Sequence, residues 1–308
     1  MNHEIRYGKA EVRVYRTYAE PLTGITPIPE SRFTGRDNVL VAAEFEIVVR
    51  GTQFLEAYTN GDNRRVVATD TMKNFIHATS LTARARTLEE WVLEVGTAFL
   101  ETYPHMERIT MLGRDLPFPP AVVPDTGGDG FTTSDRLFAR DRCDHGTARL
   151  ELERDGTGAV RITEHESGRA GMQLIKVTGS AFADFARDEH TTLPERPDRP
   201  LYIWCDVGWR YADPSHAVLA DPARYVASEQ VADLAAAVFH DFVSLSIQHL
   251  VNEIGTRILE RWPQLAEVSF DAQNRLWDVA AESTADPRIR SYSDPRPPYG
   301  HIGLVLRR

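Results

Sequence analysis

The chain has 308 residues and a formal net charge of −10, and its composition is 42% hydrophobic and 26% charged. A chain of this size and composition can bury a substantial core, and its acidic balance argues against a nucleic-acid-binding surface. Cys143 and Cys205 form neither a CxxC pair nor a disulfide framework, and no apolar run approaches the roughly 20 residues of a membrane-spanning helix. The chain shows no signal peptide and ends in Leu306-Arg307-Arg308 instead of the peroxisomal Ser-Lys-Leu, so we predict a cytoplasmic protein.

The first part of the chain contains an alternating strand at 11–16, a Pro- and Gly-rich excursion at 19–37 and a second alternating strand at 41–49. Two amphipathic helices follow, the second of them opened by the capping box Thr87-Leu88-Glu89-Glu90, and a strand at 108–112 comes next. This order predicts an α+β unit with the helices packed on one face of an antiparallel sheet.

The first of these helices begins in the turn Val66–Asn74, where a strand end passes into a helix. Met72, Phe75, Ile76 and Thr79 share one helical face, and Thr69 or Asp70 is predicted to cap the first free N–H groups. A helix start after a strand can also receive an anion. From these residues alone, a well-capped helix with no binding role is the better interpretation.

The segment 113–130, rich in proline and glycine, predicts a loop or domain boundary. After it, the sequence predicts strands at 148–153, 160–162, 173–177 and 201–207, a short helix at 180–187, a long helix from Ser228 to about Arg261, and a closing strand at 268–271 before a Pro-rich tail. The second half therefore repeats the order of elements of the first half, although no residue-level repeat is present.

The chain carries none of the common short motifs for metal, dinucleotide or nucleoside triphosphate binding, and no GxSxG nucleophile motif. Without knowledge of a family, the candidate functional residues are Lys9, Thr69, Asp70 and Arg199. Each has a simpler interpretation, as a surface lysine, as helix caps or as a loop arginine.

Three separated motifs resemble the urate oxidase (uricase) family: Tyr7-Gly8-Lys9, Val67–Asn74 and Phe185–Leu193. The likeness runs from about Arg6 to the tail at 295–299, which is nearly the whole chain. It implies the tunnelling fold, with two tandem ββαα units whose antiparallel sheets close into a barrel in the oligomer. On this basis we assign the units to residues 1–125 and 126–308. Members of the family are homotetramers with active sites between subunits.

The resemblance also implies roles for single residues. Lys9 and Thr69 match the catalytic pair, in which the lysine acts as a base and the threonine hydroxyl relays protons. Asp70 would give its backbone N–H to the substrate at the helix start.

Five further residues match substrate-binding positions. Phe182 would stack on the purine ring, and Arg199 would make a bidentate contact for which a guanidinium is well shaped. Ile247 matches an apolar position and Gln248 the glutamine that pairs with the purine edge, while Asn274 would face the oxygen site.

One position departs from the family pattern, in which a histidine follows two residues after the asparagine. Leu276 occupies this place, in Asn274-Arg275-Leu276-Trp277. This leaves two possibilities. In the first, the proton relay runs through Lys9, Thr69 and water, with or without a histidine from elsewhere such as His249 or His301. In the second, the protein binds urate without efficient turnover. Because the other site residues are present, we expect an active enzyme.

The function implied is a cofactor-free oxidase that converts urate, O₂ and water to 5-hydroxyisourate and hydrogen peroxide. The implied enzyme contains no metal, and neither a nucleic acid nor a membrane is among its partners. One alternative is a weakly active or inactive urate- or purine-binding homologue. The other is a tunnelling-fold enzyme acting on a pterin, but the zinc site or glutamate anchor that those enzymes use is not placed convincingly in this sequence.

Overall fold

The computed structural model describes residues 3–218, 221–275, 277–295 and 297–308. The elements in chain order are β1 (Arg6–Thr17), β2 (Leu40–Arg50), α1 (Leu55–Thr59), α2 (Thr69–Thr82), α3 (Leu88–Thr102), β3 (Arg108–Asp115), β4 (Pro120–Pro124), β5 (Phe131–Phe138), β6 (His145–Arg154), β7 (Val160–Lys176), β8 (Leu201–Tyr211), α4 (Ser228–Asp241), α5 (Ile247–Arg261), β9 (Leu265–Arg275), β10 (Val279–Glu282), β11 (Arg290–Tyr292) and β12 (Gly300–Arg307). Within these ranges no helix has the length and apolar character that crossing a bilayer requires.

Eight strands form one sheet in the order β1-β2-β3-β6-β7-β8-β9-β12, and all neighbouring strands are antiparallel. The pairs β4-β5 and β10-β11 form two small separate hairpins. The larger helices pack on one face of the sheet, with α2 against β1, α3 against β3 and β6, and α5 against β9. The predicted α+β class and the antiparallel sheet are confirmed.

The two faces of the sheet differ in polarity, as the alternation of β2 predicts. Phe45, Ile47 and Val49 point toward the helices and are fully buried. Glu44 points to the opposite face, where its carboxylate accepts hydrogen bonds of 2.7 Å from both Arg13 and Arg114 on the neighbouring strands. Because the alternation has period two, one face of the sheet is dry and the other is charged and wet.

Buried side chains form two main cores along the sheet. The first lies between β1, β2, β3, β6 and the helices α2 and α3, where the Trp91 ring packs edge-on against Phe45 at 5.0 Å. The second lies between β8, β9, α4 and α5 and includes the buried indole of Trp209.

The 19–37 segment has no long regular element, yet it is packed against the second half of the molecule. Ile28 is buried in the second core, and Leu22 is 1% exposed within a small third cluster. Ser31 donates to Asp233 at 2.6 Å, and Arg36 donates to Glu229 at 3.1 Å. This segment therefore joins the end of β1 to helix α4 and ties the two halves together.

Two parts of the predicted strand pattern are wrong, a segment predicted as a loop and a strand predicted as two. The 113–130 segment, predicted as a loop, contains β4 and continues into β5, which pair as a hairpin. The strands predicted at 160–162 and 173–177 are one strand, β7, whose register with β8 shifts between Arg169 and Met172. Gly171 in this irregularity has a φ of +76°, and the shift interrupts the alternation that would have shown one long strand.

The long helix predicted from Ser228 to about Arg261 is two helices, α4 and α5. Phe242 leaves the helical conformation at φ −122° and ψ 147°, and Ser246 caps the second helix by accepting the N–H of His249 at 3.0 Å. A serine cap can restart a helix without disturbing the apolar spacing on either side, which explains why the periodicity missed the break.

The short helix predicted at 180–187 is also wrong. Asp184 has a φ of 56°, which a right-handed helix does not allow, and the N–H of Ala181 donates outside its own segment, to Ser244. The predicted strand at 268–271 lies within β9, but three further strands follow it, and β12 completes the main sheet.

A buried carboxylate lies where the two halves meet. Glu89, at the start of α3, is 4% exposed and accepts hydrogen bonds from Ser167 at 2.7 Å and Tyr225 at 2.9 Å. Burial raises the pKa of Glu89 from 4.5 to about 7, and the nearby Asp115 carboxylate adds to this shift. Burial likewise raises the pKa of Asp115 to about 6.

Replacing Glu89 by Gln is expected to stabilise the protein at high pH. The folded-state pKa of Glu89 is about 7 and the unfolded value 4.5, so ionisation costs the folded state stability as the pH rises between these values. The cost reaches about 3 kcal/mol above pH 7, and it vanishes below pH 4.5, where both states are protonated. The measurement is the melting temperature of Glu89→Gln and wild type at pH 8.5 and pH 5. Glu101→Gln, on the exposed face of the same helix, is the control. A variant that is equally destabilised at both pH values would contradict the prediction.

Candidate active site

Lys9 lies on the edge strand β1, where it pairs with Ile47. The register shifts before Val12, and Glu11 has a φ of 57°, so an extra residue forms a bulge directly after Lys9. A Cβ on Gly8 would lie 1.9 Å from the carbonyl oxygen of Ile47, so only glycine fits at this position. The bulge and the close backbone approach together set the direction of the half-exposed Lys9 side chain.

Helix α2 begins at Thr69, and its N-cap residue is Ala68. The prediction that Thr69 or Asp70 caps this helix is therefore wrong, because the chain becomes helical one residue earlier than the cap residues suggest. Alanine has no side-chain acceptor, so no cap residue binds the first N–H groups of α2. These donors remain available at the positive end of the helix. Thr69 and Asp70 are both exposed in this first turn.

Tyr7 connects the strand of Lys9 to the turn of Thr69. Its hydroxyl accepts the N–H of Val67 at 2.9 Å, and its ring packs edge-on against Phe54 at 4.8 Å. The motif Tyr7-Gly8-Lys9 contains Tyr7 but assigns it no role of its own. Its position two residues before Lys9, on the same face of the strand, is the signal that indicates this anchoring role.

The carboxylate of Asp70 already has hydrogen-bond partners within its own helix. Its carboxylate accepts Lys73 Nζ at 2.6 Å and Asn74 Nδ2 at 3.1 Å. The hydrogen bond from Lys73 lowers the pKa of Asp70, and the charge of Lys9 contributes to the same shift. Lys9 and the start of α2 thus form one group, in which the Asp70 backbone N–H can face a ligand while its carboxylate stays neutralised.

Phe182 and Arg199 lie on the loop between β7 and β8. The backbones of Phe182 and Arg196 exchange two hydrogen bonds of 2.8 Å, and Arg199 N donates to Ser180 O at 2.7 Å. The Arg199 guanidinium carbon lies 5.4 Å from the centre of the Phe182 ring. These backbone bonds hold an aromatic ring and a guanidinium side by side before any ligand binds.

Arg199 has unused hydrogen-bonding capacity. Its Nε is buried and has no hydrogen-bond partner among the described residues. Burial lowers the pKa of Arg199, and the neighbouring charge of Arg196 lowers it further. An anionic ligand would satisfy the free donor and offset the unfavourable burial of the charge.

The Phe182 ring is supported by a second aromatic ring. Phe185 stacks on it with a centroid distance of 4.9 Å and an interplanar angle of 11°. The turn through Asp184, with its positive φ, brings the two rings to the same side of the loop. Phe185 therefore fixes the plane of Phe182, a role that sequence reasoning missed because it treated the segment as a helix.

Ile247 and Gln248 are the first two residues of α5. Ile247 is 2% exposed, whereas Gln248 is exposed at the free end of the helix. Asn274 lies near the end of β9 and pairs with Ile203 on β8 and Gly300 on β12. Lys176 pairs with Leu201 at the same end of the sheet, so the loop of Phe182 and Arg199 begins and ends next to Asn274.

The two groups occupy opposite corners of the sheet. Lys9 lies near the end of β1 where Arg6 pairs with Arg50, and β1 is an edge strand. Asn274 lies at the other end of the strands and six strand steps away, which is about 29 Å at roughly 4.8 Å per step. One chain therefore brings together Lys9, Thr69 and Asp70 at one corner and the five other predicted residues at the other.

Leu276, the departure from the family pattern, lies outside the described residues. The two substitute histidines are placed. His301 contacts Asp271, with 2.9 Å between Nε2 and Oδ1, and His249 packs edge-on against Phe242 at 4.8 Å. Both belong to the corner of Asn274 and α5 and not to the corner of Lys9 in the same chain.

Two cavities of about 280 and 420 Å³ open on the polar face, and both are lined by Asp206 and Asp271. None of the eight predicted site residues lines either cavity. Over the described ranges, no three His, Cys, Asp or Glu side chains are grouped as metal ligands.

The chain is similar to known proteins over nearly its whole length. The family model described as Uricase matches residues 5–141 and 165–303. A uricase from Halalkalicoccus jeotgali is 44% identical over 304 residues, covering 99% of this chain and 98% of the relative. The uric acid degradation bifunctional protein of Bacillus sp. (strain TB-90) is 45% identical over 294 residues, covering 96% of this chain.

This chain spans 58% of the length of that bifunctional protein and 62% of the length of PucL, the corresponding protein of Bacillus subtilis. Among solved structures, the crystal structure of urate oxidase from Bacillus sp. TB-90 superposes with a TM-score of 0.94 at 43% identity, covering 99% of this chain and 100% of that one. On the family match and the full-length relatives, the chain belongs to the uricase family.

Proposed function

We propose that the protein is a urate oxidase, which converts urate, O₂ and water to 5-hydroxyisourate and hydrogen peroxide. The observation that carries this proposal is the pairing of Arg199 and Phe182 on a pre-formed loop, with a buried guanidinium N–H that lacks a partner among the described residues. This pair suits a flat, anionic ring, and urate is such a ring. Membership of the uricase family supports the same substrate.

In this proposal the corner of Arg199 binds the substrate. The Phe182 ring stacks on the purine, and the guanidinium makes a bidentate contact to one edge of it. Gln248 at the open start of α5 pairs with the purine edge, Ile247 provides an apolar wall, and Asn274 faces the O₂ site. A neighbouring subunit that covered this corner would exclude water from the ring and strengthen the contact with the anion.

The corner of Lys9 supplies the proton chemistry. Lys9 acts as the base that deprotonates urate, and the Thr69 hydroxyl relays the proton and holds water or O₂. The Asp70 N–H, at the positive end of α2, binds the anionic ring. Urate passes two electrons and two protons to O₂, which leaves as hydrogen peroxide, and water adds at C5 of the oxidised ring. The electrons come from the substrate, so the proposed reaction uses no cofactor.

Because the two corners lie six strands apart and at opposite ends of the strands, about 29 Å across the sheet, we propose that each site forms between two subunits. A two-fold axis would place the Lys9 corner of each chain against the Arg199 corner of its neighbour, which forms two sites at once. The edge strands β1 and β12 would then extend the sheets of units 1–125 and 126–308 into a barrel, in a homotetramer. Sedimentation should give four times the chain mass of 34.7 kDa, and a monomer would contradict the assembly.

The proposed activity is tested by mixing the purified protein with urate while recording oxygen uptake and hydrogen peroxide. We expect one peroxide for each O₂ consumed, and loss of the urate absorbance at the same rate. Urate binding without oxygen uptake would contradict the oxidase and indicate a purine-binding protein. The cytoplasmic location stays a prediction from the sequence.

A further inference from the structure

The chain contains three lysines, Lys9, Lys73 and Lys176. The first two belong to the corner of Lys9 and Asp70, and the third lies at the other corner, as the last residue of β7. Lys176 Nζ donates to three backbone carbonyl oxygens, those of Phe239 at 2.8 Å, His240 at 3.2 Å and Phe242 at 2.9 Å. All three donors of the ammonium group are therefore used within the protein.

These carbonyl groups belong to the last turn and the end of α4, where a helix leaves acceptors without intrahelical partners. A positive charge is also favoured at this end of the helix dipole. Lys176 thus binds the end of α4 at the point where the link from Phe242 to Ser246 begins.

The link is bonded directly to the loop that carries the aromatic ring and the guanidinium. Ser244 O accepts Ala181 N at 2.7 Å, and the hydroxyl groups of Ser244 and Ser180 lie 3.2 Å apart, with both serines fully buried. Phe182 follows Ala181 directly, and Arg199 N donates to Ser180 O. The end of the same link is the cap of α5, which presents Ile247 and Gln248.

Lys176 also lies at the base of this loop, because it pairs with Leu201 at the start of β8. Thr178 and Gly179, just after Lys176, donate to the Asp198 carboxylate, each at 2.7 Å. These two hydrogen bonds join the start of the loop to its end. Lys176 therefore belongs to the loop by its backbone and holds the α4–α5 link by its side chain.

We infer that Lys176 is a positioning residue for the purine pocket, which keeps Phe182 and Arg199 in register with Gln248. The inference rests on the proposed function, since it concerns binding of the purine ring. Lys176 does not touch the substrate in this account. It reduces the ordering that binding would otherwise require, so it contributes to affinity and not to the chemical step.

The test compares Lys176→Met and Lys176→Arg with wild type, with Thr87→Ala as a matched control. Thr87 caps α3 in the first core, so its loss destabilises a helix far from the pocket. The measurements are kcat and KM for urate from oxygen uptake, and the Kd of xanthine, which has the purine ring without the C8 oxygen. We expect Lys176→Met to raise KM and the xanthine Kd by about tenfold and to change kcat by less than about threefold. Lys176→Arg should recover part of the affinity, and Thr87→Ala should leave KM and Kd unchanged.

An active Lys176→Met variant with the KM and Kd of wild type would overturn the inference and reduce Lys176 to a helix cap. A wild type that neither consumes oxygen nor binds xanthine would overturn the proposed function, and the inference with it. If Lys176→Met does not fold, Lys176→Arg is examined by hydrogen exchange at the amides of Ala181 and Arg199. Faster exchange there, together with a raised xanthine Kd, supports the inference, and unchanged exchange and Kd overturn it.

Discussion

Replacing Lys9 by Met is expected to lower the turnover of urate by about 10² to 10⁴-fold, the usual contribution of a general base. Binding of xanthine should change by less than about threefold, because the substitution leaves the Asp70 N–H in place and the residues that stack on and pair with the purine come from the neighbouring subunit in our proposal. The measurements are kcat from oxygen uptake and the Kd of xanthine.

Lys9→Arg separates charge from proton transfer. Arginine keeps the positive charge near Asp70 but stays protonated, so it cannot act as a base and should be as inactive as Lys9→Met. Recovery of turnover in Lys9→Arg would assign Lys9 an electrostatic role and contradict the relay.

Thr69→Ala should lower turnover in the same way, because Thr69 is exposed in the uncapped first turn of α2 and its hydroxyl is free to act on a ligand. Thr71→Ala removes the same hydroxyl group two residues later and is the control. Full turnover in Thr69→Ala would show that water alone completes the relay. His249→Ala and His301→Ala, measured in the same assay, test whether either histidine takes the place that Leu276 leaves open.

Mixing two inactive variants is expected to restore about one quarter of the wild-type activity. Lys9→Met removes the proposed base from one corner of the site, and Arg199→Met removes the guanidinium from the other. If a site takes Lys9 from one chain and Arg199 from another, half of the chains supply each intact corner at random, so about one site in four is complete. The measurement is oxygen uptake after co-expression of the two variants in equal amounts.

The control for this experiment is the double variant carrying both substitutions in one chain, co-expressed with the Arg199→Met chain. No chain in that mixture has an intact Arg199, so no activity should return. If the Lys9→Met and Arg199→Met mixture stays as inactive as each variant alone, the site lies within one chain and the proposed assembly is wrong.

Local signals account for most of the elements that were predicted correctly. The alternation in β2 and the apolar stripe of α3 each identify a buried face within a single segment. Of the predicted capping box, Thr87 caps α3 by accepting the N–H of Glu90 at 3.2 Å, whereas the Glu90 carboxylate accepts the N–H of Arg86 at 2.8 Å and not that of Thr87. Element boundaries were predicted wrongly where a local irregularity interrupted the periodic pattern of apolar residues. The bulge near Gly171 hid one long strand, and the Ser246 cap hid the break between α4 and α5.

The predicted site residues came from motifs that resemble a family, and residue identity alone did not distinguish them from helix caps or surface charges. The opening of α2 illustrates the limit. Thr69 and Asp70 look like caps because serine-like and acidic residues are favoured there, but the chain becomes helical at Thr69 itself, after Ala68.

The sequence by itself determined the α+β class, and its motifs, through their resemblance to a family, predicted a set of site residues, because periodicity, caps and motifs lie within short segments. Only the tertiary structure decided that these residues lie at opposite corners of one sheet, and that Lys176 joins the loop of Phe182 to the start of α5. The reason is that strand order and hydrogen bonds between distant segments depend on which surfaces pack together, and no local pattern of side chains encodes that choice.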